Sequence, residues 1–262
     1  MSHMIEIPFH KYQGTGNDFV MVDNRSQLID RNDKQYARKL CDRKFGIGSD
    51  GLILIENHKG YDFEMIFFNP DGSQSMCGNG SRCAVVFAQA LGIIENHTTF
   101  LSTDGVHTAT INNNIVSLSM KDVPPEKTQA FPEHFIIDTG SPHYVVFTSN
   151  LNQKAVKEEG AFIRYSEEHK EKGINVNFVE KLGKHQIAVR TYERGVEDET
   201  LSCGTGVTAC AIAHVLHGGI SPVQISTQGG DLTVKFDLEN GTARNVFLEG
   251  PAKKVFSGQI NL

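Results

Sequence analysis

The sequence predicts an α+β fold made of one unit used twice, each copy holding several short strands and one central helix. Three observations predict it. Short, alternating apolar runs dominate the chain. Two stretches, 80–91 and 206–216, read as buried helices. Landmarks of the first half also recur in the second at nearly one spacing.

In chain order, strands are expected over 19–22, 52–55, 63–68, 135–137, 144–147, 176–179, 187–192 and 232–236. The charged amphipathic segment 152–172 reads as a surface helix or loop. Asp122-Val123-Pro124-Pro125-Glu126-Lys127 is the best linker candidate, because consecutive prolines stiffen a chain and end regular structure. The expected domains are therefore 4–121 with 251–262, carrying Cys77, and 122–250, carrying Cys203. Met1-Ser2-His3 reads as a cloning scar ahead of Met4.

The repeat rests on four landmarks. Gly16-Asn17 precedes an apolar strand, as does Gly140-Ser141, and 16 to 140 is 124 residues. The strand starting near Gly51 is matched near Asn175, and Asn69 after 63–68 is matched by Glu193 after 187–192, again 124 residues on. Cys77-Gly78-Asn79-Gly80 is matched by Cys203-Gly204-Thr205-Gly206, 126 residues on. Only two copies fit, so this is a duplication and not a solenoid.

Composition narrows the function. The 39% hydrophobic content supplies a real core, and the net charge of -6 argues against nucleic acid or an anionic membrane surface as the main partner. No apolar stretch is long enough to span a bilayer and no secretory leader is visible. Five cysteines, an odd number, read as reduced thiols in a cytoplasm, and no C-x-x-C pair points to a zinc site; no metal is expected.

The Cys-Gly-x-Gly blocks carry the chemistry. The first N–H groups of a helix lack partners and favour anions, including a thiolate at the cap. Glycines let a carboxylate come close to them. Under a pseudo-two-fold axis, both thiols would stand on opposite sides of one cleft. Two opposed thiols suit inversion of a carbon stereocentre, one removing the α-proton and the other delivering a proton to the opposite face. No pyridoxal phosphate or other cofactor is then required.

Lys11-Tyr12-Gln13-Gly14-Thr15-Gly16-Asn17-Asp18-Phe19, Asn69-Pro70-Asp71-Gly72-Ser73, Met76-Cys77-Gly78-Asn79-Gly80-Ser81-Arg82 and Glu193-Arg194-Gly195 with Cys203-Gly204-Thr205-Gly206 resemble diaminopimelate epimerase, in order along the whole chain. The resemblance implies two pseudo-symmetric domains, each a curled mixed or antiparallel sheet around a central helix. It implies cofactor-independent interconversion of LL- and meso-2,6-diaminopimelate in bacterial lysine and peptidoglycan precursor synthesis. The partner is then a small diamino diacid, and a homodimer is compatible with it. By the same resemblance Cys77 and Cys203 are the acid/base pair, and Gly78, Asn79, Gly204 and Thr205 bind the reacting carboxylate. Asn17, Asn69, Asn175, Glu193 and Arg194 hold the substrate's polar ends. Ser141 and His143 are placed in the pocket.

Three departures from the family pattern stand out. Ser141 precedes Pro142-His143 where Asn is common, Gly51 stands where some members have Gln, and the loops 69–77 and 193–203 differ by one residue in length. The closest rival is a two-cysteine racemase for proline, hydroxyproline or histidine, although proline-type enzymes resemble Met-Cys-Gly-His and not the Met-Cys-Gly-Asn found here. Gly204-Thr205-Gly206-Val207-Thr208-Ala209 also fits a dinucleotide fingerprint, but the preceding 198–202 is polar and does not read as the strand such a motif should follow. A Cys/His hydrolase using His143 leaves the second Cys block unexplained. Arg82 either steers anions or braces a loop.

Overall fold

The computed structural model describes residues 6–261; the residues Met1-Ser2-His3 and the start at Met4 lie outside them. In chain order the elements are β1 (Glu6–Gly14), β2 (Asn17–Asp23), α1 (Gln35–Cys41), β3 (Gly51–His58), β4 (Tyr61–Phe68), α2 (Gly78–Ala90), β5 (His97–Ser102), β6 (Gly105–Asn112) and β7 (Ile115–Ser119). They continue with β8 (Thr128–Ala130), β9 (His134–Asp138), β10 (Pro142–Phe147), α3 (Val156–Arg164), β11 (Asn175–Gly183), β12 (Gln186–Glu193) and β13 (Asp198–Thr200). Last come α4 (Gly204–Leu216), β14 (Val223–Thr227), β15 (Gly230–Glu239), β16 (Thr242–Pro251) and β17 (Lys253–Asn261). The chain divides into two units: one holds the described residues through Leu118 and those from Pro251 on, the other Ser119–Gly250.

In the first unit β2 runs antiparallel to β1 and parallel to β3. The ladder continues through β4 antiparallel, β5 parallel, then β6 and β7 antiparallel, while β17 pairs with the outer side of β1. In the second unit β10 runs antiparallel to β9 and parallel to β11, followed by β12 antiparallel, β14 parallel, then β15 and β16 antiparallel. The order is the same, and so is the register. Phe19 faces Gly51 as His143 faces Asn175, and Leu52 faces Phe68 as Val176 faces Tyr192. Each of these residues has its counterpart 124 positions on, so the duplication seen as spacing is a duplication of hydrogen-bonded pairs.

Both units bury their central strands on two faces, which makes those strands read as continuous apolar runs. Leu52 and Leu54 pack with Leu40 of α1, while Ile53 turns the other way toward α2. In the second unit Val176 and Phe178 pack with Val156 of α3, and Val179 joins the core around α4. The helices α2 and α4 are buried nearly all round, as central helices enclosed by strands must be. Among the described residues no helix is long and apolar enough to cross a membrane.

Two expectations need correction. The prolines at 124 and 125 do not mark a free linker. Val123 is buried and exchanges both backbone hydrogen bonds with Ala243 at 2.9 Å, and Pro125–Lys127 closes a single 3₁₀ turn. The prolines start the 3₁₀ turn without releasing the segment, because the apolar side chain beside them is anchored. The polar run at 198–200 is a strand after all, paired antiparallel with β12. It is held by cross-strand polar contacts: Arg190 grips Glu199 bidentately at 2.6 and 2.7 Å, and Thr200 Oγ1 donates to Glu193 Oε2 at 2.9 Å. Within 152–172 the α-helix is Val156–Arg164, and a 3₁₀ turn over Leu151–Gln153 precedes it.

Candidate active site

Each Cys-Gly-x-Gly block starts a central helix. Cys77 and Cys203 hold extended backbone angles (φ -136°, ψ 111° and φ -121°, ψ 115°) and the helical turn begins at the glycine that follows. The second glycine is needed for packing. A Cβ on Gly80 would lie 3.0 Å from Ile53 Cδ1, and one on Gly206 would lie 2.6 Å from Asn177 Oδ1. Ile53 and Asn177 are themselves 124 residues apart, so both helices approach the same strand position closely, tightly at Gly80 and with no room for a side chain at Gly206.

In the first unit Cys77 is half-buried, with Sγ between a donor and an acceptor. Gly80 N–H donates to it at 3.4 Å, and it donates to Asn17 Oδ1 at 3.7 Å. The thiolate and the thiol are thus each met by a suitable group. The orientation of Asn17 is fixed: its Nδ2 donates to Asp50 Oδ2 at 2.7 Å, leaving Oδ1 to accept from Cys77 and from Asn79 Nδ2 at 3.2 Å. Arg43 Nη2 holds the other oxygen of Asp50 at 2.8 Å. Asn69 directs its amide into its own loop, donating to Ser73 Oγ and Ser75 Oγ at 3.0 and 3.2 Å. Gly51 has no space for the glutamine of other family patterns, since a Cβ there would meet Phe67 Cε2 at 2.3 Å.

In the second unit Cys203 is 8% exposed, and its Sγ lies 3.5 Å from Thr205 Oγ1. Thr205 Oγ1 is also 3.0 Å from His143 Nε2 and 3.2 Å from Ser141 Oγ, while Asn175 Nδ2 donates to Ser141 Oγ at 3.3 Å. His143 is fully buried, and desolvation pushes its pKa down to about 3, with Asp138 opposing and Arg194 adding to the fall. Its tautomer follows from Asn177, whose Oδ1 accepts from Thr191 Oγ1 and whose Nδ2 donates to Tyr144 O. That Nδ2 therefore faces His143 Nδ1 as a donor at 3.2 Å, and the imidazole carries its proton on Nε2. Nε2–H points at the hydroxyls of Ser141 and Thr205, so the Thr205 hydroxyl links His143 and Ser141 to Cys203 Sγ.

This burial has a consequence for stability. Unfolded, His143 takes up a proton near ~6.5; folded, only near about 3. The stability it contributes is full above the unfolded value and is lost as pH falls toward the folded one. A His143→Gln variant is expected to lose less stability than its parent between pH ~7 and ~4.5, a difference of a few kcal/mol at most. Urea unfolding midpoints at the two pH values measure it; parallel losses in both proteins would rule out His143 as the cause.

Strand β12 ends at Glu193, and Arg194 lies in the turn beyond it with Gly195 at φ 93°. That break lets neighbours in sequence serve one locale. Arg194 N–H donates to Asn175 Oδ1 at 2.9 Å, and its Nη1 donates to Lys172 O at 2.9 Å. The structure therefore gathers Asn17, Cys77, Gly78 and Asn79 at one helix start, and Ser141, His143, Asn175, Arg194, Cys203, Gly204 and Thr205 at the other. Among the described residues no group of three or more His, Cys, Asp or Glu side chains is placed to hold a metal.

The family model for diaminopimelate epimerase matches residues 9–123 and 135–255. The chain belongs to the diaminopimelate epimerase family. It is 53% identical over 255 residues to the diaminopimelate epimerase of Flavobacterium psychrophilum, covering 96% of this chain and 99% of that one. It is 42% identical to that of Aquifex aeolicus, covering 97% of each. Among solved structures it resembles a hydroxyproline epimerase from Agrobacterium vitis (TM-score 0.73, 15% identity, 100% of this chain and 94% of that one). It also resembles a phenazine biosynthesis protein of the PhzF family from Bacillus anthracis (TM-score 0.72, 14% identity, 98% and 99%). At such identities the structures show a shared fold alone.

The Gly-x-Gly turn of α4 is not set in a βαβ unit. The strand ahead of α4 is a hairpin arm of three residues paired antiparallel, not the central parallel strand of a βαβ unit. Sequence reasoning missed Asp50, which orients Asn17, and Asn177, which sets the His143 tautomer. A signal existed for the second: Asn177 is a polar residue at an inward position of the apolar run 176–179.

Proposed function

We propose that this chain interconverts LL- and meso-2,6-diaminopimelate without a cofactor, using Cys77 and Cys203 as the acid/base pair. The observation that supports this reading is the recurrence of one device, a cysteine at the N-cap position of a buried helix directly ahead of Gly-x-Gly, in both copies of the unit. The thiolate of one cysteine takes the α-proton. The thiol of the other gives its proton to the opposite face of the same carbon. One S–H bond forms and one breaks, so the pair ends with its protonation exchanged and no net proton gained.

The remaining roles follow from chemistry. The N–H groups at Gly78-Asn79 and Gly204-Thr205 meet the reacting carboxylate and stabilise charge developing beside the α-carbon. Arg194 suits the distal carboxylate through a planar fork, and Glu193 accepts from the distal ammonium. Asn17, Asn69, Ser141 and Asn175 supply polar contacts. His143 is a positioning residue acting through Thr205.

The test is a substrate panel. Purified protein is offered LL-diaminopimelate, L-proline, trans-4-hydroxy-L-proline and L-histidine, and products are resolved by chiral chromatography. Inversion of diaminopimelate alone is expected. Turnover of one of the monocarboxylic amino acids in place of it would replace this reading with the racemase alternative.

A further inference from the structure

Arg82 is the largest fully buried side chain, 0% exposed, in α2 five residues beyond Cys77. A buried cation is costly unless an anion or a full set of acceptors meets it. Its Nη2 donates to Thr15 Oγ1 at 3.1 Å, but Nε and Nη1 are buried with no hydrogen-bond partner. The guanidinium is held tightly against the end of β1, where a Cβ on Gly14 would lie 3.3 Å from Nη2.

Apart from Glu6, exposed at the opposite end of β1 from Gly14, the carboxylates on elements packed around α2 are committed elsewhere. Lys11 of β1 and Arg43 take Asp18 of β2, and Arg43 also takes Asp50 ahead of β3. Arg25 takes Asp23 of β2, and Arg31 takes Glu56 of β3 and Glu64 of β4. Asp62 of β4 accepts from Thr98 and Thr99, and His107 of β6 pairs with Asp104. His10 and Tyr12 of β1 lie against Phe87, His58 of β3 lies against Tyr61, and β17 brings the cations Lys253 and Lys254. On α2 itself the other titratable side chain is Cys83, which burial drives so far up that it stays a neutral thiol.

The negative charge left to answer Arg82 is that of Cys77. We propose that Arg82 is a positioning residue whose buried guanidinium supplies the counter-charge of the Cys77 thiolate and sets the pH above which Cys77 serves as a base. This rests on the reading of Cys77 as one half of the acid/base pair. Burial holds the guanidinium itself down to about 10, against which the sulfurs of Cys83 and Cys77 act, and with Cys83 kept neutral by its own burial the charge of Cys77 is the one that remains at working pH. A long-range partner of this kind suits a catalytic thiol, since a direct ion pair would tie up the sulfur that must reach substrate.

The test is alkylation of Cys77 by iodoacetamide as a function of pH in Cys203→Ser protein, read by mass on the Cys77 peptide. Cys41, Cys83 and Cys210 are buried and react slowly. The expected midpoint lies below the ~8.5 of a free thiol. Arg82→Gln should raise it by about one unit or more, a tenfold loss of thiolate at neutral pH. Arg82→Lys should restore most of the shift. Thr15→Val, which removes the hydrogen bond and keeps the charge, should leave the midpoint nearly unchanged. An unshifted midpoint in folded Arg82→Gln overturns the proposal. If Arg82 variants do not fold, a midpoint at or above ~8.5 in the parent overturns it equally. The readout needs no turnover, so full epimerase activity in Cys77→Ala would refute the catalytic reading while leaving the alkylation result to decide the electrostatic one.

Discussion

Replacing Cys77 with alanine is expected to cut turnover of LL-2,6-diaminopimelate by about 10²–10⁴-fold, the range that a positioned acid or base contributes. Cys203→Ala should do the same. Inversion needs a proton removed on one face and supplied on the other, so neither thiol can substitute for its partner. Serine at either position should also cripple the enzyme, because a hydroxyl is a far poorer base near neutral pH. Circular dichroism and melting curves separate this loss from unfolding. The substitutions are small, and although Cys77→Ala loses the acceptor of Gly80 N–H, the first helical backbone bonds remain: Ser81 N–H donates to Cys77 O and Val207 N–H to Cys203 O, at 2.8 and 2.9 Å.

The second large effect is expected at Arg194. Its backbone is tied to Asn175 and one guanidinium nitrogen to Lys172 O. Its stem packs where Gly173, at φ 70°, leaves space; a Cβ there would come within 2.5 Å of Arg194 Cδ. The fork is thus held at an exposed turn, ready for a planar anion. Arg194→Lys keeps the charge and loses the fork. A charged hydrogen bond is worth ~1.5–3 kcal/mol, so kcat/KM for diaminopimelate should fall roughly 10–150-fold. Steady-state kinetics decide it, and a fall below about threefold would make Arg194 a bracing residue of the turn.

The two cysteines, the helix starts and the duplication were legible because each leaves a local mark: a Gly-x-Gly turn, an apolar run, a fixed spacing. Two of the strands that escaped reading, β13 and β17, lack such marks. Asp198–Thr200 is polar and forms through cross-strand pairs with β12. Lys253–Asn261 lies at a ladder end with mostly exposed side chains, so no apolar alternation betrays it. The candidate site divides in the same way. Cys77 and Cys203 announce themselves by sequence context, while Asp50 and Asn177 matter through bonds to residues 33 and 34 positions away. Those distances are set by the parallel pairings β2–β3 and β10–β11, which no short motif encodes. The linker at 122–127 misled for the opposite reason: its prolines are a strong local mark, and the long-range pairing of Val123 with Ala243 outweighs it.

The most direct test of the two-thiol account is solvent isotope incorporation during inversion. LL-2,6-diaminopimelate is incubated in deuterium oxide with the purified protein, with Cys77→Ala and with Cys203→Ala, and the product is analysed by chiral mass spectrometry. The account predicts that each molecule inverted by the parent protein carries solvent deuterium at the inverted α-carbon, and that neither variant accumulates inverted product at a comparable rate. Inversion that retains the original α-hydrogen, or undiminished deuterated product from either alanine variant, would contradict it.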